Sequence, residues 1–361
     1  MRDLIIFIPS IEGGGVEKNL FYITKYIQSK FKNVYLITAN KFKQNFFGKN
    51  VNLIMPNTNY FNNKNRFVKN IICTYLLIKN FKKGNALILS LQSNFFSIIS
   101  SKVMNAKIII RLNTSPEKYI SNIFKKIIFK FLYNLADEII VNSNDFKKNL
   151  NENFYLNSRV ILNPIKINKT RKKIDFFKNF KGLKIISIGR LTNQKNQITL
   201  LKALYLLKNK FRAKFRLYLI GRGYNYNFLQ NYIFQNKLQK DIKLAGYKKN
   251  AFNYIKSSDL MILPSNYEGL PNTLIEAQVA CVPIISSNCP TGPKEILMNG
   301  RLGELFRPGD HKDLCNKIYN YYKDRKLLKK KSILAKKYLY RFDYKKNLNK
   351  YVLIIGKYIK Y

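Results

Sequence analysis

The chain has 361 residues, 46% of them hydrophobic and 14% aromatic, which excludes a disordered, solvating chain and predicts two domains of roughly 150–200 residues each. Its formal charge is +47, from 66 Lys and Arg against 19 Asp and Glu. AT-rich codon usage would supply the abundant Lys, Asn, Ile, Phe and Tyr but explains the missing acids less well. A functional excess would point to an anionic membrane surface, a phosphate-bearing substrate or nucleic acid.

The first apolar run, Leu4 to Ile8, is too short for a signal sequence or a membrane span and reads as a buried strand. Gly13, Gly14 and Gly15 follow it, then a helix starting near Val16 with Glu17 in its first turn. This turn lacks the G-K-[ST] ending of a P-loop and does not match G-x-G-x-x-G; its glycines allow a close backbone approach to a ligand. Further runs, "VYLITA", "ALILSL", "AKIIIRL" and "DEIIVNS", alternate with helical segments. Their continuous hydrophobicity predicts a parallel sheet covered on both faces, a doubly wound α/β domain over residues 1–165. "RLNTSPEKY" after the "AKIII" strand places Arg111 and Asn113 on a second lip of the same ligand-binding edge.

Residues 166–182 are polar and basic and read as a linker. A second strand-helix series occupies 183–335: "LKIISIGR", "FRLYLIG", "DIKLAG", "DLMILPS" and "VPIISS". The tail, 336–361, mixes Tyr and Lys; it predicts a helical segment packing back on the first domain, or else a basic aromatic face for lipid headgroups. Cys73, Cys281, Cys289 and Cys315 show no paired spacing, consistent with a reducing interior and no zinc set.

In open α/β sheets ligands gather at the carboxyl ends of strands. "SIGRLTNQKN" offers Arg190 and Lys195 just before a helix, a pattern suited to a diphosphate, although alone, in a chain this rich in Lys, it reads more readily as a solvated basic turn. "YEGLPNTLIEA" places Glu268 and Glu276 eight positions apart around Gly269, Leu270 and Pro271. Pro271 fits the first helical position, leaving the N–H groups of Asn272 and Thr273 toward an incoming anion. Glu268 would hang at the helix mouth and Glu276 sit about one turn inside. Both suit hydroxyl acceptors, one for a sugar and one for a ribose. Gly221, Gly223 and Gly246 end further strands, where they would bring backbone up to a base or ribose or serve as ordinary turn glycines.

With these residues in place, the second half resembles the retaining glycosyltransferases of family 4, through "GRLTNQKN", the E-x7-E run from Glu268 to Glu276, and "CPTGPKEIL" with "NGRLGELFRPGD". The first half resembles them more loosely, through its glycine turn and "VILNPI". The resemblance implies the α/β GT-B fold, two Rossmann-like doubly wound domains facing a central cleft, and hexosyl transfer. It implies Arg190 and Lys195 on the donor diphosphate and Glu268 on the transferred sugar. Glu276 would take the ribose, the Gly269–Thr273 backbone (Gly269, Leu270, Asn272, Thr273) the sugar and phosphate, and Gly246 and Tyr247 the border of the base. Gly13, Gly14, Gly15, Arg111 and Asn113 would form the acceptor and phosphate loop. The implied donor is a UDP-linked sugar, an N-acetylhexosamine among the candidates. The implied acceptor is a polyprenyl diphosphate or a growing O-antigen, capsule or lipopolysaccharide glycan.

Many relatives carry a His in the N-terminal lobe; here the sole His is His311, in a surface helix start, and the corresponding loop offers Asn113. No D-x-D pair is present, so neither cofactor nor metal is expected, Arg190, Lys195 and a helix dipole doing the neutralising. A cytoplasmic enzyme, peripheral on the inner face of the cytoplasmic membrane, is the resulting expectation. Two alternatives stay open: a basic nucleic-acid-binding protein, though RNP, helix-turn-helix and zinc-finger signatures are missing, and a catalytically inactive partner subunit.

Overall fold

The computed structural model describes residues 2–11, 15–41, 47–114, 116, 120, 122–166 and 176–359. The chain divides into two compact units, 1–164 with 343–361, and 165–342. In the first unit, strands β1 (Asp3–Phe7), β2 (Val34–Ile37), β3 (Val51–Ile54), β4 (Ala86–Ser90), β5 (Lys107–Arg111), β6 (Glu138–Val141) and β7 (Arg159–Val160) form one sheet in the order β3-β2-β1-β4-β5-β6-β7. Every pairing is parallel; Leu4, for example, sits opposite both Val34 and Leu87. Helices α1 (Gly15–Ile27), α2 (Arg66–Asn80), α3 (Asn94–Val103), α4 (Ile123–Asn134) and α5 (Asn144–Phe154) alternate with the strands. Successive β1 side chains point to opposite faces: Leu4 and Ile6 pack with Leu20 and Ile23 of α1, whereas Ile5 and Phe7 pack with Cys73 and Leu77 of α2. Burial on both faces is why the strands read as continuous apolar runs.

The second unit repeats the plan with β8 (Leu183–Ile188), β9 (Phe215–Ile220), β10 (Ile242–Leu244), β11 (Leu260–Leu263), β12 (Ile284–Ser287) and β13 (Glu304–Phe306). Their order is β10-β9-β8-β11-β12-β13, again all parallel. The helices are α6 (Gln197–Phe211), α7 (Tyr226–Gln235), α8 (Ala251–Lys256), α9 (Asn272–Val279), α10 (Pro293–Ile296), α11 (His311–Lys323) and α12 (Lys326–Lys337). The chain enters this sheet in its middle at β8, winds outward to β10, then returns to the other side of β8 as β11. That reversal places a topological switch point between β8 and β11, where the loops leaving the two strands diverge and a ligand can enter.

His311 opens α11 directly after Asp310, whose carboxylate accepts from the Lys312 and Asp313 amides at 3.0 and 2.9 Å. Those amide bonds hold the Asp310 carboxyl below the usual carboxylate range. Asp310→Ala is expected to cost about 1 kcal/mol in urea denaturation. Because the folded-state pKa is depressed, the stabilisation is present at neutral pH and lost as pH falls through that pKa. The wild-type and variant curves should therefore converge in acid.

The sequence segment 336–361 divides at Phe342: residues up to there belong to the second unit and Asp343–Tyr361 to the first. Helix α13 (Tyr344–Ile359) lays Leu348, Tyr351, Ile355 and Ile359 into the same core as Leu20, Ile23 and Ile27 of α1. Most of the expected linker, 167–175, lies outside the described residues. Among the described residues no helix is long and apolar enough to cross a membrane. The doubly wound α/β class expected from the sequence is the observed one in both units.

Candidate functional site

The loops after β8 and β11 are stitched together across the switch point. Asn266 N donates to Gln194 O at 2.8 Å and its Nδ2 to Asn193 O at 2.9 Å. Gln194 Nε2 donates to Tyr267 O at 3.2 Å, and Asn196 Nδ2 to Asn266 Oδ1 at 2.9 Å. At the centre, Lys195 Nζ meets Glu268 Oε1 at 2.5 Å. Ser265 Oγ donates to the same oxygen at 2.6 Å. The pair is enclosed, with side-chain exposures of 17% for Lys195 and 6% for Glu268. Gly189 makes room for it: a Cβ there would stand 3.2 Å from Lys195 Cδ.

Two expectations change here. Glu268 does not hang freely at the helix mouth, and Lys195 is not a bare cation, because each is the other's partner. The reason is electrostatic: a carboxylate this deep is tolerated only with a counter-charge and hydrogen bonds. Both bonds fall on Oε1, and among the described residues Oε2 accepts none.

Pro271 is the residue before α9 rather than its first helical residue, with φ −69° and ψ 110°, and Asn272 opens the helix. The shift is one position, and the amides of Asn272 and Thr273 still lie in the first turn of the helix. Glu276 stands one turn further on, half-buried. Arg190 is exposed, its guanidinium 3.3 Å from Gln194 Oε1. Thus the loops bearing Arg190 and Lys195 and the α9 start bearing Glu268, Gly269, Leu270, Asn272, Thr273 and Glu276 belong to one switch point.

Residues that sequence reasoning missed hold this arrangement. Thr291 Oγ1 donates to Glu268 O at 2.6 Å, and Ser287 Oγ to Ser265 O at 2.6 Å. Gly292, at φ +74°, lies so close to the loop that a Cβ would stand 1.7 Å from Gly269 O. Thr291 and Gly292 fall in "CPTGPKEIL", so the signal was present but its physical use was not. Burial, with Glu268 beside it, pushes the Cys289 thiol up to about 12. It is therefore protonated at neutral pH and supplies no thiolate nucleophile.

The two glycines after β9 are required by the packing of neighbouring loops. A Cβ on Gly221 would meet Gly189 O at 1.9 Å, and one on Gly223 would meet Leu191 O at 2.1 Å, so both pack loop on loop. Gly246, at φ +65°, faces open space, and Tyr247 is exposed beside it.

In the first unit, Gly13 and Gly14 lie outside the described residues, and Gly15 opens α1. Arg111 is not on an open lip: it is 1% exposed, donating to Asn113 Oδ1 at 2.7 Å and Asn163 Oδ1 at 2.6 Å. It is the last residue of a central strand, so its side chain is enclosed by neighbouring loops. Asn113 Nδ2 in turn donates to Leu91 O at 2.8 Å, tying the loops after β4 and β5.

Residues 168–338 match the family model for glycosyl transferases group 1. An uncharacterized glycosyltransferase of Methanocaldococcus jannaschii is 34% identical over 207 residues, 54% of this chain and 51% of that protein. This chain thus spans about half the length of that relative. The N-acetylgalactosamine-N,N'-diacetylbacillosaminyl-diphospho-undecaprenol 4-alpha-N-acetylgalactosaminyltransferase of Campylobacter jejuni is 23% identical over 358 residues, 95% of this chain and 96% of the relative. Among solved structures, Anabaena Alr3699/HepE in complex with UDP-glucose superposes with a TM-score of 0.79 at 17% identity, over 99% of this chain and 100% of that one. At that identity the likeness is one of fold.

Proposed function

From the match of residues 168–338 to the family model for glycosyl transferases group 1, we propose that the chain is a retaining, metal-independent glycosyltransferase using a UDP-linked sugar. The acceptor is a polyprenyl-diphosphate-linked or surface-polysaccharide glycan, met at the inner face of the cytoplasmic membrane. A relative acting on a diphospho-undecaprenol substrate and a structural neighbour solved with UDP-glucose support this choice of partners.

One observation carries the reading: the Lys195–Glu268 pair at the β8/β11 switch point, with Oε2 of Glu268 left to accept from a ligand. In the proposed complex the donor diphosphate lies against the α9 start, where the Asn272 and Thr273 amides and the helix dipole favour an anion. Arg190 adds a bidentate cation and Lys195 a point charge shared with Glu268. Glu268 Oε2 accepts from a hydroxyl of the transferred sugar, and Glu276 from the ribose. Gly246 and Tyr247 border the base. Gly13, Gly14, Gly15 and Asn113 remain the proposed acceptor side, with Arg111 stiffening Asn113 rather than touching ligand.

Retention needs no protein nucleophile in a front-face reaction. The leaving diphosphate accepts the acceptor's proton, and the fixed cations and amides stabilise the charge that develops on it. Incubating purified protein with a panel of nucleotide sugars and a lipid-linked acceptor tests the reading; transfer with retained anomeric configuration is expected, and inverted product would refute the stereochemical part. Glu276→Ala should weaken UDP binding about tenfold in calorimetry, the loss of a hydrogen bond to a charged group. An unchanged affinity would remove Glu276 from the donor site.

A further inference from the structure

Helix α4 is rich in Ile and Phe, yet Leu132 alone among its described side chains is buried. Ile123, Ile127 and Phe131 recur every fourth position and are 71%, 59% and 68% exposed. That spacing puts them on one face of the helix. Its neighbour α3 presents Phe95, Ile99 and Val103 at the same interval, all exposed, and α2 beyond it presents Phe67, Ile71 and Tyr75. The three helices adjoin: Thr74 and Ser100 hydroxyls bond at 2.9 Å between α2 and α3, and the Phe67 and Phe96 rings meet edge to face at 5.7 Å. Helices α3 and α4 also pack together. An ordinary soluble surface scatters its exposed apolar side chains singly; stripes on three adjoining helices mark a covered surface.

The charge around this face selects the cover. None of the three helices contains Asp or Glu, and from Lys18 to Ala136 the sequence has a single acid, Glu117. Lys79, Lys102, Lys125 and Lys130 are exposed on the same helices. At one end Tyr60 is exposed, with Lys64 Nζ 4.1 Å from its ring centre. A second copy of this chain would bring cations against cations, which opposes self-association. Apolar stripes with a lysine rim and amphipathic Tyr fit the boundary between acyl chains and anionic headgroups.

We propose that the α2–α3–α4 face of the first unit inserts its apolar stripes into the interfacial layer of an anionic phospholipid bilayer. This deepens the peripheral-membrane reading given above and rests on it. The proposed lipid face thereby lies on three helices of the first unit whose apolar side chains face outward, and not on the C-terminal tail, whose α13 is packed on α1.

The test is flotation of full-length protein with vesicles of phosphatidylcholine and phosphatidylglycerol, and with vesicles of phosphatidylcholine alone. Wild type is expected to float with the anionic vesicles. The triple variant Ile123→Ser, Ile127→Ser, Phe131→Ser should bind about tenfold more weakly or worse, with its melting temperature and UDP affinity unchanged because these side chains are solvent-exposed and in the other unit from the donor site. Lys125→Glu with Lys130→Glu should weaken binding more at low salt than at high salt. Wild-type flotation that the triple variant matches would overturn the proposed face while leaving the membrane reading intact. No flotation of wild type with anionic vesicles would overturn both. A wild-type dimer in light scattering, reverting to monomer in the triple variant, would show that a second copy covers the face and likewise overturn it.

Discussion

Transfer is expected to fall below about a thousandth of wild type in Glu268→Gln, with UDP still bound. The substitution keeps the side-chain shape and removes the charge that Lys195 faces at 2.5 Å. Breaking one side of a buried pair costs about 3–5 kcal/mol because the remaining charge is left uncompensated. Loss of activity alone would therefore be ambiguous between chemistry and collapse of the loops. The double variant Lys195→Met, Glu268→Gln separates them. With both charges gone, most of the stability should return in urea denaturation, while transfer stays lost because the carboxylate that holds the sugar and the Lys195 charge beside the diphosphate are both removed. Recovery of transfer in the double variant would make the pair purely structural and sink the assignment of Glu268.

Gly292→Ala should be the most disruptive single-methyl change in the second unit. Its Cβ would stand 1.7 Å from Gly269 O and 3.1 Å from Leu270 Cα, and the backbone there has φ +74°. The methyl cannot be accommodated unless the loop bearing Glu268, Gly269 and Leu270 moves. Positive-φ strain alone costs about 1–3 kcal/mol, and the displaced loop adds to it, so UDP affinity and transfer should both fall. Gly309→Ala is the control: its φ is +79° but nothing lies within 4 Å and it has no place in the donor site, so it carries strain without a clash. Calorimetric titration of UDP into both variants makes the comparison. Equal affinities would show that the Gly269–Gly292 approach does not shape the donor site.

The contrast between these glycines shows what was legible in the sequence. Strands such as "LKIISI" and "DLMILPS" could be read because a fully buried strand must be continuously apolar, and the Gly or Pro after each marks where the loop begins. The start of α9 could be read to within one residue from Pro271. The Lys195–Glu268 bond could not, because its partners are 73 positions apart and meet only when β8 and β11 become neighbours. The same holds for Gly221 and Gly292, whose glycine requirement comes from another loop's carbonyl rather than from a ligand. Arg111 was misplaced because a cation at a strand end reads as exposed, whereas two asparagine oxygens at 2.7 and 2.6 Å hold its terminal nitrogens inside. Periodicity locates the apolar stripe of α4 but does not say whether it faces core or solvent. Here it faces solvent.

The most direct measurement of the central claim is a crystal structure of the protein with UDP. The diphosphate should lie within about 3 Å of the Asn272 and Thr273 amides, with Arg190 folded over it and the ribose on Glu276. A UDP bound elsewhere on the chain, with Arg190 and Glu276 both out of reach of it, would contradict the account.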